Sequence, residues 1–178
     1  MLTRAELLGQ IMRNYDTPVA ISGTHGKTTT TSMVSHILLA GDCDPTISVG
    51  GILPAIGGNI RVGNSETFVT EACEYTNSFL SFFPKISIIL NMDADHLDFF
   101  KDIDDIRHSF RRFAELLPAD GTLIINADTP KYEDIIRDLP CNVITYGLEH
   151  DADYQAADIT YDKYGHASFS VLRNGVKV

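Results

Sequence analysis

Ser22-Gly23-Thr24-His25-Gly26-Lys27-Thr28-Thr29-Thr30-Thr31 follows the apolar run Val19-Ala20-Ile21 and leads into a segment of helical spacing. That order reads as strand, glycine turn and helix start, the layout of a phosphate-binding loop. Gly23 and Gly26 allow a tight turn that brings backbone N–H groups close to an anion. The helix that follows leaves its first N–H groups unpaired and puts its positive dipole end at the same place. Lys27 adds a full charge within reach of terminal phosphates, and the Thr28 hydroxyl is suited to ligating Mg²⁺. The general pattern asks for a glycine five residues before Gly26, where this chain has Ile21. A shorter Gly-x-x-Gly-Lys-Thr loop must therefore be argued against the alternative of a Gly/Thr-rich turn that binds nothing.

Working outward, Met1 to Asp16 carries Leu7, Leu8, Ile11 and Met12 at helical spacing, which predicts a short amphipathic helix ahead of the domain proper. Pro18 to Ser22 is the first predicted strand. Beyond the loop, Met33, Val34, Ile37 and Leu38 predict one apolar stripe on a helix ending at Gly41. Thr46 to Val49 is β-favouring, and Gly50-Gly51 with Gly57-Gly58 suggest a flexible loop over the site or plain turns. Thr67 to Thr70 predicts a strand ending in Glu71. Phe79, Leu80, Phe82 and Phe83 then form a helical apolar patch. Ile86 to Leu90 reads as a strand buried on both faces, closing at Asn91. Ile103, Ile106, Phe110, Phe113 and Leu117 give the clearest helical spacing, with Arg107, His108, Arg111 and Arg112 on a solvated face. Thr122 to Ile125 and Val143 to Tyr146 are further strands, with a helix around Tyr132 to Leu139 between them. From Ala157 the pattern changes to an antiparallel hairpin series that runs through Asn174-Gly175 into Val176, and Val176 to Val178 has no visible partner beyond it. The expected fold is α/β, a mostly parallel sheet with helices on both faces and an antiparallel hairpin region at the C-terminal end.

The 178 residues are 44% hydrophobic and 21% charged, ordinary for a globular domain. A net charge of −10 argues against a nucleic-acid or anionic-membrane surface, so anions must be met locally, as at Lys27. Cys43, Cys73 and Cys141 lie far apart with no metal spacing, which fits a reducing cytoplasm. No apolar run approaches bilayer-spanning length.

In sheets of this kind, ligands bind at the carboxyl ends of the strands. The residues just past the predicted strands are the phosphate loop, Glu71, Asn91 with Asp93 to Asp98, and Asn126 to Asp128. Glu71 occupies the place where phosphate-loop enzymes keep an acid for Mg²⁺, against the alternative of an exposed loop carboxylate. His96 lies among Asp93, Asp95 and Asp98, oxygen donors suited to a hard cation. Taken alone, it reads as a capping or surface residue. No second His or Cys stands at zinc-ligand spacing. Glu74, Tyr75 and Asn77 either line the same cleft or, for Glu74, belong to a solvated helix face.

Gly-Thr-His-Gly-Lys-Thr-Thr-Thr-Thr (23 to 31), Glu-Ala-Cys-Glu-Tyr (71 to 75) with Ser78-Phe79, and Asn-Met-Asp-Ala-Asp-His-Leu-Asp (91 to 98) resemble the central ATP-binding domain of the Mur ligases, nearest to its alanine-adding branch. The resemblance covers nearly the whole chain. It implies an ATP-dependent amide ligase of peptidoglycan precursor synthesis, with ATP and Mg²⁺ as cofactors and UDP-N-acetylmuramate and L-alanine as substrates. It also implies that Lys27 holds the β- and γ-phosphates within the loop Gly23, Thr24, His25, Gly26, Lys27, Thr28 and Thr29. Thr28 and Glu71 would then hold one Mg²⁺, and His96 a second. Asn126 and Asp128 match a region near the nucleotide. Family members carry an N-terminal domain for the UDP-sugar, a C-terminal domain and a late His-Asn motif, none of which is in this sequence. The expectation is therefore a linker helix at residues 1–16, a central domain at 17–178 truncated at its end, and no activity in isolation. The branch that attaches a recycled tripeptide to the same sugar, and a nucleotide-binding module without ligase chemistry, are the alternatives.

Overall fold

The computed structural model, which describes residues 1–178, sets the strand ahead of the glycine turn near the middle of a single sheet. β1 (Thr17–Ser22) lies between β4 (Thr67–Glu71) and β5 (Ile86–Ile89), parallel to both. β2 (Thr46–Leu53) and β3 (Gly58–Arg61) extend the sheet past β4. On the other side β6 (Thr122–Asn126), β7 (Asn142–Gly147), β8 (Tyr154–Tyr161), β9 (Ala167–Arg173) and β10 (Val176–Lys177) follow β5. The full order is β10-β9-β8-β7-β6-β5-β1-β4-β2-β3. Pairing is parallel from β2 through to β8, with antiparallel hairpins at both edges. Fold class and the mostly parallel sheet are as the sequence predicts.

Both faces of β1 are buried because helices cover both. α2 (Lys27–Ala40) packs Val34 and Leu38 onto Val19, Ile21 and Val69. The opposite face holds the main core. There α1 (Arg4–Met12), α3 (Ile103–Ala114) and α4 (Tyr132–Ile136) bury Met12, Ile106, Phe110, Phe113 and Ile135 against Ala20, Ile89, Leu123 and Ile125. Phe79 sits at the middle of this core, stacked on Phe113 at 4.6 Å between centroids and edge-on to Phe110 at 5.4 Å. Burying one such ring is worth about 2–3 kcal/mol.

Five local expectations are corrected. First, only half of the α2 stripe faces the sheet: Met33 and Ile37 are exposed, and Thr31 and Ser35 take the buried seam. Small side chains let the helix approach, and the Ser35 hydroxyl donates to the Thr31 carbonyl at 2.7 Å. Second, α1, started by a Thr3/Glu6 capping box, contacts the domain through Ala5, Leu8, Gly9 and Met12, leaving Leu7 and Ile11 exposed. Third, Gly50 and Gly51 are not a flexible loop but the continuation of β2, which turns at Pro54–Ile56 into β3. Fourth, the Phe79–Phe83 patch is not one helix: Phe79 and Leu80 lie on a 3₁₀ stretch, Tyr75–Ser81, interrupted by left-handed Thr76 and Asn77, and beyond its end Phe82 is extended and buried while Phe83 is exposed. Fifth, Arg111 is not simply solvated, since it donates to the carbonyls of Ile135 and Arg137 and clamps α4 onto α3. The last strand closes the hairpin series as expected, Val176 and Lys177 pairing with Arg173 and Leu172 of β9.

Candidate active site at the strand ends

The glycine turn is fixed by its neighbours before any ligand is considered. Gly23 has φ +144, and a Cβ there would stand 2.9 Å from Cβ of Leu90, so the close pass against β5 requires glycine. Asn91 then ties the turn to the end of β5. Its carboxamide accepts from the His25 N–H at 2.8 Å and donates to the His25 carbonyl at 3.0 Å. The Thr24 hydroxyl accepts from the Asp93 N–H at 2.9 Å. α2 opens on Gly26 in a left-handed conformation with no side-chain cap, which leaves its first-turn N–H groups available. These features fit an anion.

Lys27 is held over the turn. Its Nζ donates to the carbonyls of Gly23 at 2.6 Å and Thr24 at 3.1 Å, and to both oxygens of Glu74 at 3.0 and 3.3 Å. Glu74 is 2% exposed and Lys27 17%, so this ion pair is largely dry. The burial of Glu74 corrects the solvated-helix alternative. The one signal for it in the sequence is a second glutamate three residues after Glu71.

Beside this pair, the Thr28 hydroxyl donates to Oε2 of Glu71 at 3.1 Å. Oε1 of Glu71 accepts the Gly50 N–H at 2.6 Å. Sequence reading missed Gly50 as a site residue, although a Cβ there would lie 2.8 Å from Oε2 of Glu71. Two hard oxygens at one edge of a phosphate loop suit Mg²⁺, which is commonly held by one or two protein oxygens plus substrate phosphates rather than by a protein cage. A cavity of about 290 Å³ opens next to Glu71, lined by Arg4, Leu8, Cys73, Ser78 and Phe82 among others.

His96 comes to the same centre from the other side, its Nε2 3.7 Å from Oε1 of Glu74. The acids around it do not form the expected oxygen cluster. Asp95 caps the His96 N–H at 2.7 Å, Asp98 accepts the Tyr75 hydroxyl at 2.8 Å, and Asp93 lies out by His25. Short side chains in an irregular loop satisfy nearby backbone and side-chain donors instead of converging.

Asn126 and Asp128 are occupied structurally. Asn126 donates to the Leu90 carbonyl at 3.1 Å and accepts the Asp128 N–H at 2.9 Å, bracing β6 against β5. The Asp128 carboxylate accepts the N–H groups of Leu148, Glu149 and His150 and contacts the His150 ring at 3.0 Å. Burial works against its charged form, but these donors outweigh it and hold its pKa at about 2. Burial, with Asp128 close by, pushes the Tyr146 phenol up to about 12.

Sequence comparison gives this arrangement a family. The profile of the Mur ligase middle domain matches residues 21–177. The UDP-N-acetylmuramate–L-alanine ligase of Lachnospira eligens is 65% identical over 99% of this chain. Among solved structures, the UDP-N-acetylmuramate:L-alanyl-γ-D-glutamyl-meso-diaminopimelate ligase of a Neisseria species superposes with a TM-score of 0.84 at 26% identity, over 97% of this chain and 57% of that one. The UDP-N-acetylmuramate–alanine ligase of Thermotoga maritima gives 0.79 at 26%, over 95% of this chain and 37% of that one. The chain spans 39% of the length of the Lachnospira relative. With a match that runs over residues 21–177, most of its length, this chain belongs to the Mur ligase family, of which it carries the middle domain.

Proposed function

We propose that the chain is the ATP- and Mg²⁺-binding part of a ligase of peptidoglycan precursor synthesis that joins L-alanine to UDP-N-acetylmuramate. The observation that carries this reading is the meeting of Lys27, Thr28, Glu71, Glu74 and His96 at the carboxyl ends of β1, β4 and β5. The loop Gly23 to Thr29 would cradle the ATP phosphates, with Lys27 turning from Glu74 toward the β- and γ-phosphates. Thr28 and Glu71 would hold one Mg²⁺ and His96 a second beside the carboxylate to be activated. The metal supplies neutralisation of the charge that builds up during phosphoryl transfer. The γ-phosphoryl group passes to the lactyl carboxylate of UDP-N-acetylmuramate. The amine of L-alanine then attacks the acyl phosphate, releasing inorganic phosphate and forming the amide. Asn126 and Asp128 would border the nucleotide, Asp128 also keeping the 147–150 turn in place.

On this reading residues 1–16 lead in from a sugar-nucleotide domain, residues 17–178 form the central domain, and the isolated chain does not turn over. The enzyme would work in the cytoplasm. No helix of the structure is long and apolar enough to cross a membrane. A second reading, transfer of a recycled tripeptide instead of alanine, is favoured by the superposition on the Neisseria tripeptide ligase. The 65% identity to an alanine ligase weighs more, because the structural match at 26% is shared equally by both activities. The deciding experiment measures phosphate release by the full-length protein with ATP, UDP-N-acetylmuramate and either L-alanine or the tripeptide. Release with L-alanine, abolished by Lys27→Ala together with Mg-ATP binding, is expected. Release with the tripeptide alone overturns the alanine assignment, and unchanged ATP affinity in Lys27→Ala overturns the phosphate loop.

A further inference from the structure

His96 stands on the stretch between β5 and α3, outside any helix or strand, in a left-handed conformation with φ +53. Its ring has one polar neighbour, Glu74, at 3.7 Å, too long to fix an orientation by hydrogen bonding. Tyr75 lies against the ring. The two rings lie 4.6 Å apart between centroids with planes inclined at 34°, and the Tyr75 hydroxyl reaches past His96 to donate to Oδ2 of Asp98 at 2.8 Å. Phe99 closes the far side edge-on at 6.0 Å and is itself packed on buried Phe100. Tyr75 is firmly based, because it opens the 3₁₀ stretch whose Phe79 is locked in the core and whose Asn77 accepts the buried Ser109 hydroxyl.

We infer that Tyr75 is a positioning residue for His96. Its ring sets the imidazole plane and its hydroxyl ties the loop carrying His96 to the segment carrying Glu71 and Glu74. The consequence for turnover rests on the ligase reading, but the consequence for the His96 ring does not. A left-handed loop residue with no hydrogen bond to its ring samples several rotamers, and a misplacement of about 1 Å at a reacting centre can cost up to about a hundredfold in rate.

The experiment uses the full-length protein with ¹³C-labelled histidine, the His96 signals being assigned by His96→Gln. The wild-type His96 ring protons should show the shift that an aromatic face imposes. Tyr75→Phe should retain it and Tyr75→Ala lose it. In steady-state assays Tyr75→Ala should lower kcat by about tenfold or more with the KM for ATP held within about twofold. Tyr75→Phe should recover most of the rate, and Tyr75→Ala should add no further loss on a His96→Ala background. An unshifted His96 signal in Tyr75→Ala, or losses that multiply in the double variant, overturns the inference. If the His96 signal moves as expected while His96→Ala keeps full turnover, the positioning stands and it is the metal role of His96 that fails.

Discussion

The dry ion pair between Lys27 and Glu74 makes a quantitative prediction, because the two partners are buried unequally. At 3.0 Å, opposite unit charges in an effective dielectric of about 20 attract by about 5–6 kcal/mol. Removing both groups from water offsets much of this, leaving a coupling of about 2–3 kcal/mol. The single variants should then differ. Lys27→Met strands a carboxylate that is 2% exposed, with only His96 at 3.7 Å to answer it, and should cost about 3–5 kcal/mol. Glu74→Ala leaves Lys27 more exposed and still bonded to the carbonyls of Gly23 and Thr24, and should cost about 1–2 kcal/mol. Lys27→Met/Glu74→Ala should be more stable than Lys27→Met alone, because the second substitution removes the stranded charge. Urea unfolding of the four proteins at neutral pH measures all three differences. Strictly additive losses, or Glu74→Ala costing more than Lys27→Met, would refute the claim that Glu74 is a buried counter-charge rather than a solvated neighbour. The same pair bears on the proposed chemistry, since a lysine that parks on Glu74 is kept over the turn while no phosphate is present.

How much of this could be read from the chain depends on the kind of signal each residue leaves. The glycine turn between β1 and α2, the place of Glu71 at the end of β4, and α3 were legible because each is local: a glycine spacing, an acid at the end of an apolar run, and Ile103 to Leu117 at helical intervals. Glu74 was not, since burying a carboxylate depends on which lysine the fold brings to it, 47 positions away. Gly50 looked like loop punctuation because glycine weakens a strand in general. Here it continues β2, and its bare backbone lets the Glu71 carboxylate come within 2.6 Å. The Met33 and Ile37 side of α2 was misassigned for the opposite reason. Periodicity marks an apolar stripe but does not say that a closely approached sheet prefers Thr31 and Ser35 in the seam. The bracing role of Asp128 was not legible either, since the N–H groups that its carboxylate accepts come from residues 148 to 150, whose turn carries no sequence signature.

Two further outcomes follow from these contacts. Gly50→Ala, whose Cβ would stand 2.8 Å from Oε2 of Glu71, should displace that carboxylate and raise the Mg²⁺ concentration needed for half-maximal phosphate release by about tenfold. Gly51→Ala, facing only the Thr28 methyl at 3.3 Å, should raise it much less, and equal effects of the two variants would remove Gly50 from the support of Glu71. For Asp128 the folded pKa of about 2 lies below the ordinary 3.8, so the unfolded chain binds the proton more readily. Its contribution, on the order of 2 kcal/mol, is therefore complete above about pH 4 and is lost as pH falls toward about 2. Asp128→Asn should thus be less stable than the parent near neutrality and lose less stability across that acid window, followed by urea midpoints at stepped pH. Parallel acid limbs for the two proteins would mean that the donors of the 147–150 turn do not hold the carboxylate in its charged form.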